Sequence, residues 1–179
     1  MSEAVKEYGQ ALADLAVEEQ LEEILRTQSA RLKEIFEQNP AYTRLLANPE
    51  IPKAERCALL EESLGGRVHP YLLNFLKILT ERGYAYRSAD FLAEYERIYC
   101  ERHSIARADC ASAVALTEEQ KTRLREKLEG ITGKKIELVC RVDPSLIGGI
   151  RLLLDNTLFD GSVRARLDEM RASLMALTL

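Results

Sequence analysis

"VDPSLIGGIRLLLDNTLFDGSVRARLDEM", which runs from Val142 to Met170, sets a glycine pair, four aspartates and an Asp-Gly-Ser triplet among apolar residues. Among its apolar runs stand three turn signals: Asp143-Pro144, Gly148-Gly149 and Asp160-Gly161-Ser162. Aspartate next to proline or glycine favours a tight turn, because its side chain can bond to the backbone just ahead. Ile150, Leu152 and Leu154 recur with the period of two that is typical of a β-strand. The stretch therefore predicts short strands joined by turns.

Paired glycines near carboxylates also occur in phosphate-binding and metal-binding loops. A phosphate loop lies between a strand and the helix that it opens, so that backbone N–H groups converge on the anion. Here Gly148-Gly149 precedes a strand, and Gly133-Lys134 follows a helix. A metal or paired-carboxylate site would use three aspartates that each stand in a turn sequence: Asp143, Asp155 and Asp160. We therefore interpret the residues as a structural signature, with no metal, cofactor or catalytic residue expected: Asp143, Gly148, Gly149, Asp160, Gly161 and Ser162.

Residues 106–179 predict a small α/β domain. The predicted elements are a strand from Ala106 to Leu116, a helix from Thr117 to Gly133, strands over Ile136–Val142 and Ile150–Leu154, and a helix from about Val163. Thr117 and Gln120 form a capping-box pattern at the start of the first of these helices. Ser162 is the expected N-cap of the last one.

Residues 1–105 predict a six-helix antiparallel bundle, because their apolar residues recur at steps of three and four and the loops are short. Asn39-Pro40 stops the second helix, and Pro70 opens a fifth helix that is apolar around much of its circumference. Ser88 is the expected N-cap of the sixth helix. The fold class is therefore α+β overall, with a helical bundle followed by the α/β domain.

Composition and charge disfavour several classes of protein. The chain has 179 residues and a formal net charge of −4, which argues against general binding of nucleic acid. We find no apolar run of the roughly 18 to 20 residues that span a bilayer, and no signal-peptide pattern, so we expect a cytosolic protein without direct membrane insertion. The cysteines are far apart in sequence, so we expect reduced thiols that fill the core: Cys57, Cys100, Cys110 and Cys140.

Almost the whole chain resembles one family, the delta subunit of bacterial F-type ATP synthase, which is called the oligomycin-sensitivity-conferring protein in mitochondria. The resemblance is strongest in "DPSLIGGIRLLLDNTLFDGSVRARL", from Asp143 to Leu167, which is similar to the C-terminal signature of that family. Four shorter stretches support it in order and spacing: Tyr8–Leu12, Asn74–Gly83, Leu116–Gln120 and Thr132–Leu138. One departure is Gly9, where the family commonly has alanine and where glycine should weaken the first helix by about 0.5 to 1 kcal/mol.

The resemblance implies a non-catalytic subunit of the stator, or peripheral stalk, located peripherally at the cytoplasmic face of the bacterial cell membrane. It implies that the N-terminal domain binds the N-terminal helices of the alpha subunits of the catalytic head, and that the C-terminal domain binds the b subunits of the stalk. The protein would resist rotor torque during ion-gradient-driven ATP synthesis. The residues expected to form or back the groove for the alpha-subunit helix are Tyr8, Leu12, Leu15, Leu72, Leu76 and Leu79.

Two other classes of protein remain as alternatives. The first is a small nucleotide-binding or phosphate-ester-binding enzyme that uses the loops at Gly148, Gly149 and Asp160. The second is a helical DNA-binding regulator, which the net charge disfavours. Binding of the chain to catalytic heads would separate the stator subunit from both alternatives.

Overall fold

The computed structural model describes residues 3–154 and 157–163 and shows an α+β protein. The chain divides into two compact units, Met1–Arg102 and His103–Leu179, which are called the helical unit and the sheet unit below. The predicted hairpin tip Asp155-Asn156 and the predicted last helix beyond Val163 lie outside the described residues. Among the residues that are described, we find no helix long and apolar enough to cross a bilayer.

Within residues 3–102, the helical unit contains six α-helices and one 3-10 turn. The helices are α1 (Glu3–Glu18), α2 (Glu22–Gln38), α3 (Pro40–Ala47), α4 (Lys53–Leu64), α5 (Pro70–Glu81) and α6 (Ser88–Arg102). Pro40 and Pro70 each occupy a first helical position, where the missing N–H breaks no hydrogen bond. The 3-10 turn covers Ala85–Arg87 and leads directly into α6.

The N-cap prediction for Ser88 is wrong. Ser88 is already the first residue of α6, and its hydroxyl donates a hydrogen bond of 2.8 Å to the carbonyl oxygen of Ala85. The 3-10 turn supplies that carbonyl from behind, so the serine side chain points back into the preceding turn. It does not accept from the N–H groups ahead of it, as a cap would.

Helix α6 packs against both α1 and α2. Its Phe91 and Tyr95 are among the largest side chains buried in the core. The Tyr95 hydroxyl donates to the carbonyl oxygen of Glu22 over 3.0 Å, and one turn later the Tyr99 hydroxyl donates to the Glu23 carboxylate over 2.5 Å. Two polar bonds therefore link α6 to the first turn of α2 at the edge of an otherwise apolar core.

Gly9 allows α1 to lie close to α6. A Cβ at this position would be 2.7 Å from Cγ of Glu94, well inside van der Waals contact. Glu94 is buried and cannot easily move, because its two carboxylate oxygens accept from Nε and NH2 of Arg97 at 3.0 and 2.8 Å. The glycine that weakens α1 by propensity is thus the residue that lets the two helices approach.

The sheet unit is a four-stranded mixed sheet with one helix among its described residues. Its elements are β1 (Ile105–Ser112), α7 (Glu118–Thr132), β2 (Lys135–Val142), a 3-10 turn (Pro144–Leu146), β3 (Ile150–Leu154) and β4 (Thr157–Asp160). The strand order is β2-β1-β3-β4, with β1 parallel to β2 and antiparallel to β3, and with β3 antiparallel to β4. The predicted capping box is confirmed at Thr117 and Gln120, and α7 ends at Gly133 with φ of 66°.

Helix α7 covers one face of this sheet. The core contains Leu128 of α7 and small residues of the central strand β1, including Ala106 and Ala108, which are fully buried. Side chains alternate between the faces of a strand, so every second residue of β1 faces α7. The alanines that give a weak strand signal in the sequence leave room for a helix to pack directly on the strand.

Candidate helix-binding groove

Helices α1 and α5 of the helical unit approach each other near both of their ends. Near the start of α1, the ring of Tyr8 contacts that of Tyr84, just after α5, with 6.1 Å between centroids. At the other end, a hydrogen bond with the carboxylate of Glu19 raises the pKa of Tyr71, which lies in the first turn of α5. The beginning of each helix therefore lies near the end of the other, so the two helices run in opposite directions. The surface where they adjoin is called the candidate groove below.

Most of the residues predicted for this groove lie beneath the surface. Leu12 of α1 and three leucines of α5 are buried in the core: Leu72, Leu76 and Leu79. Tyr8 is half-buried, with its ring also packed edge-on against Phe91 at 5.8 Å. Leu15 is half-buried as well. The four leucines can support a groove from behind, and only Tyr8 and Leu15 of the predicted set reach its surface.

The exposed surface of the candidate groove is formed by residues of α1 and α5 that lie one or two helical turns from the residues named above. The interaction of Tyr71 with Glu19 identifies the side of α5 that faces α1. Ile78 is seven residues, or two helical turns, after Tyr71 and therefore lies on the same side. Ile78 is 37% exposed, which is high for an isoleucine beside a packed core. On α1, Ala11 is exposed one turn before Leu15 on the same side. The candidate groove therefore exposes apolar side chains to solvent.

Ile78 is the residue that the sequence analysis did not single out. Its signal is present in the sequence, because α5 carries more apolar residues than one core-facing stripe needs. Ile78 falls outside the stripe of Leu72, Leu76 and Leu79. An apolar residue outside that stripe is available for contacts other than those of the core.

Acidic side chains flank the groove on the α1 side. Glu7 and Glu18 are exposed, and they lie on the same side of α1 as Ala11, about one turn before it and two turns after it. Glu19 stands at the end of the groove, where it bonds to Tyr71. A ligand that combined an apolar stripe with neighbouring basic residues would match both the floor and this rim.

The signature residues of the sheet unit act within turns. The carboxylate of Asp143 accepts from the backbone N and the hydroxyl of Ser145 at 3.0 and 2.6 Å, and these bonds lower its pKa. The carboxylate of Asp160 accepts from the backbone N of Ser162 and from Nε of Arg151, each at 3.0 Å. Its bonds with Ser162 and Arg151 lower the pKa of Asp160 to about 2. Both aspartates are thus held as anions by their own turns.

The glycine pair is packed against the segment that follows β4. Gly149 has φ of 79°, and a Cβ there would lie 2.5 Å from the carbonyl oxygen of Gly161. A Cβ on Gly148 would lie 3.0 Å from Cγ2 of Val163. The pair enters strand β3, and the space beside Gly149 is filled by the turn that follows β4. This arrangement does not fit the loop of a nucleotide-binding or phosphate-ester-binding enzyme, whose glycines must face the ligand.

Within residues 3–154 and 157–163, we find no group of three or more His, Cys, Asp or Glu side chains with the spacing of a metal site. The two signature aspartates Asp143 and Asp160 each hold their own turn. In the described part of the sheet unit, both carboxylates therefore accept hydrogen bonds within turns.

The family model and two similar proteins all place the chain in one family. Residues 4–174 match the family model described as ATP synthase delta (OSCP) subunit. The chain is 34% identical over 169 residues to the ATP synthase subunit delta of Gloeobacter violaceus, covering 93% of this chain and 91% of that protein. It is also 34% identical over 171 residues to the ATP synthase subunit delta of Desulfitobacterium hafniense, covering 93% of each.

One solved structure shares the fold across nearly the whole chain. It is a chain of the Toxoplasma gondii mitochondrial ATP synthase hexamer, determined by cryo-EM, with a TM-score of 0.73 and 15% sequence identity. The match covers 97% of this chain and 98% of that chain. At this level of identity the similarity is one of fold.

Proposed function

We propose a binding partner for each unit of this chain, which belongs to the ATP synthase delta (OSCP) subunit family and is a non-catalytic subunit of the peripheral stalk. The helical unit binds the amphipathic N-terminal helix of an alpha subunit of the catalytic head. The sheet unit binds the b subunits of the stalk. Joined in this way, the chain holds the head against rotor torque at the cytoplasmic face of the bacterial membrane.

The observation that carries the first part of this proposal is the apolar surface that α1 and α5 expose in the candidate groove. Ile78 and Leu15 present apolar surface at positions where a soluble helix normally places polar residues. Behind them lie fully buried leucines that keep the floor in place, including Leu12 and Leu76. A groove of this kind on a rigid support is the usual receptor for the apolar face of a partner helix.

The charges around the groove support a partner of defined chemistry. Glu7 and Glu18 flank the apolar floor, so a helix with lysine or arginine beside its apolar stripe gains electrostatic complementarity. Such pairs at the rim mainly affect association and orientation, while the buried apolar contacts supply most of the affinity. We therefore expect the affinity to depend on Ile78 more than on either glutamate.

The second part of the proposal rests on the sheet face that points away from α7. Val139 of β2, Leu153 of β3 and Leu158 of β4 are exposed, and they stand in one row across the sheet with Asp109 of β1 between the first two. Apolar residues in register on an exposed sheet face favour a contact surface. We assign this row to the b subunits.

Torque transmission requires that each unit behave as a rigid body. We propose that the six helices of residues 1–105 act as one antiparallel bundle, and that residues 106–179 act as a separate domain. The antiparallel contacts at both ends of α1 and α5 support this arrangement for one helix pair. Apolar packing around α6 joins α1 and α2 to the same core.

Titration with a labelled peptide of the alpha-subunit N-terminus tests the groove. We expect the full-length chain to bind the peptide and Ile78→Ser to weaken binding by at least about tenfold, since truncating a central apolar contact costs more than about 1.4 kcal/mol. Val17→Ser is the matched control, because Val17 is similarly exposed on α1 but lies on the opposite side of that helix from Leu15. Equal loss in both variants, or no binding by the unaltered chain, would contradict the proposal.

Binding to the C-terminal end of the b subunit tests the other assignment. We expect Leu153→Ser to weaken this complex and to leave peptide binding by the helical unit unchanged. Val114→Ser is the matched control, since Val114 is exposed outside the row. If Leu153→Ser binds the b subunit as tightly as Val114→Ser does, the row across the sheet is not the contact.

A further inference from the structure

Two cysteines that are 30 positions apart in sequence are paired across the sheet. The parallel register of β1 and β2 places Cys110 directly opposite Cys140. Both side chains point to the face covered by α7, where Cys110 belongs to the core and Cys140 packs against it. Neighbouring strands lie about 4.8 Å apart, which is inside the range of roughly 4.4 to 6.8 Å that Cα atoms of a disulfide span.

The two cysteines are direct partners in the strand register and share one side of the sheet, so their sulfur atoms face each other across β1 and β2. They differ in exposure. Cys110 is fully buried on the central strand, and burial, together with the neighbouring Cys140, raises the pKa of Cys110 to about 11. Cys140 is only partly covered on the neighbouring strand. A reagent in solution therefore reaches Cys140 first, and Cys110 is shielded behind it.

We propose that Cys110 and Cys140 form a two-thiol oxidation site, in which a hydroperoxide attacks at Cys140 and Cys110 then closes a disulfide between β1 and β2. The proposal concerns the sheet unit alone and does not depend on which partners the chain binds. It differs from the expectation for isolated thiols, which serve only to fill a core.

The first step oxidises the sulfur of Cys140 by two electrons. Its thiolate attacks one peroxide oxygen, an S–O bond forms, the O–O bond breaks, and the other oxygen leaves and takes up a proton as alcohol or water. The product is a sulfenic acid on Cys140. A buried thiol directly opposite is the arrangement of a resolving cysteine.

In the second step the sulfur of Cys110 attacks the sulfur of Cys140. The thiol of Cys110 gives up its proton, the S–S bond forms, and the sulfenic oxygen leaves as hydroxide and takes the proton to become water. Two thiols and one hydroperoxide thus yield one disulfide, one alcohol or water from the peroxide, and one further water. Closure of the disulfide protects Cys140 from the irreversible higher oxidation states.

Mass spectrometry of the full-length chain after treatment with hydrogen peroxide tests this site. Trypsin cleaves after Arg107, Lys121, Lys135 and Arg141, so the two cysteines fall in separate peptides, 108–121 and 136–141. We expect these peptides to appear joined, with the combined mass reduced by two hydrogen atoms, and to separate on reduction with dithiothreitol. Cys57→Ser/Cys100→Ser removes the cysteines of the helical unit and should leave the joined product unchanged.

Single substitutions separate the two roles. In Cys110→Ser, the sulfenic acid on Cys140 has no resolving partner, so we expect dimedone to trap it in peptide 136–141. In Cys140→Ser, we expect Cys110 to lose its reactivity with peroxide, because it stays buried. Absence of the joined peptide in the unaltered chain, or equal oxidation of Cys110 in the presence and absence of Cys140, would overturn the proposal.

Discussion

The substitution Gly149→Ala tests most directly whether the signature residues serve to shape the turns around β3 and β4. Alanine would pay about 1 to 2 kcal/mol for the left-handed backbone conformation that glycine adopts there at φ of 79°. Its Cβ would also lie 2.5 Å from the carbonyl oxygen of Gly161, so the backbone of the turn after β4 would have to move. Overpacking of this kind costs about 1 to 3 kcal/mol more. We expect a total loss of about 2 to 5 kcal/mol in the free energy of unfolding.

Gly133→Ala separates the two contributions. Gly133 ends α7 with φ of 66°, and a Cβ there would have no heavy atom within 4 Å. This variant should therefore lose only the conformational cost, and the difference between the two variants measures the clash. If their losses agree within about 0.5 kcal/mol, the proposed contact between the glycine pair and the following turn is wrong.

Urea denaturation followed by circular dichroism gives the overall loss, and hydrogen exchange locates it. The N–H of Gly161 donates to the carbonyl oxygen of Ile150 at 3.0 Å, so its exchange reports on the joint between β3 and the end of β4. We expect Gly149→Ala to accelerate exchange at Gly161 far more than Gly133→Ala does. Protection that is equal in the two variants would contradict the local mechanism.

Three further outcomes follow from the described contacts. Gly9→Ala should lower the free energy of unfolding by about 1 kcal/mol despite better helix propensity, as urea denaturation can measure. The loss should be smaller in a Glu94→Ala background, which removes the Cγ at 2.7 Å and keeps the Cβ at 3.1 Å, and an equal effect in both backgrounds would refute the close approach. Thr117→Ala should cost about 1 kcal/mol and expose the first amides of α7 to hydrogen exchange. Because the folded-state pKa of Asp160 is depressed to about 2, its stabilising effect should be present above pH 4 and be lost as pH falls from 4 to 2. Melting curves of the chain and of Asp160→Asn should therefore converge over that range, and a constant difference would contradict the assignment.

Local chemistry made several parts of the fold predictable. Pro40 and Pro70 lack a backbone N–H, and only the first turn of a helix has no use for one. The starts of α3 and α5 could therefore be predicted from the sequence. The capping box at Thr117 was equally readable, because both of its hydrogen bonds are local. Turns and caps depend on residues a few positions apart, and a sequence pattern contains that information directly.

Contacts between distant segments were not predictable in the same way. The approach of α1 to α6 at Gly9 depends on Glu94, which is far along the chain, so propensity alone suggested a weakness where the structure has a fit. The pairing of Cys110 with Cys140 depends on the register of two parallel strands. Strand β4 gives no alternating signal, because all of its residues are exposed.

The candidate groove shows the same limit. Periodicity identified the apolar residues of α1 and α5, but it could not separate the side that faces the core from the side that faces a neighbouring helix. Leu72 and Leu79 were therefore predicted to form or back the groove without a distinction between the two roles; both are buried and so can only back it, while Ile78 was not singled out. The contact between Tyr71 and Glu19, which fixes the side of α5 that faces α1, involves residues from two elements and has no local sequence pattern.

The two tyrosine bonds between α6 and α2 have a mechanical consequence. Apolar side chains tolerate small displacements along a helix interface, because dispersion and burial have little directional preference. A hydrogen bond is far less tolerant: sliding α2 by one residue, about 1.5 Å, would break the bond of 3.0 Å between Tyr95 and the carbonyl of Glu22. The bond between Tyr99 and Glu23 would be strained by the same movement. Under a load that slides α2 along α6, these two hydroxyl groups therefore resist the first small displacement, in addition to the packed core.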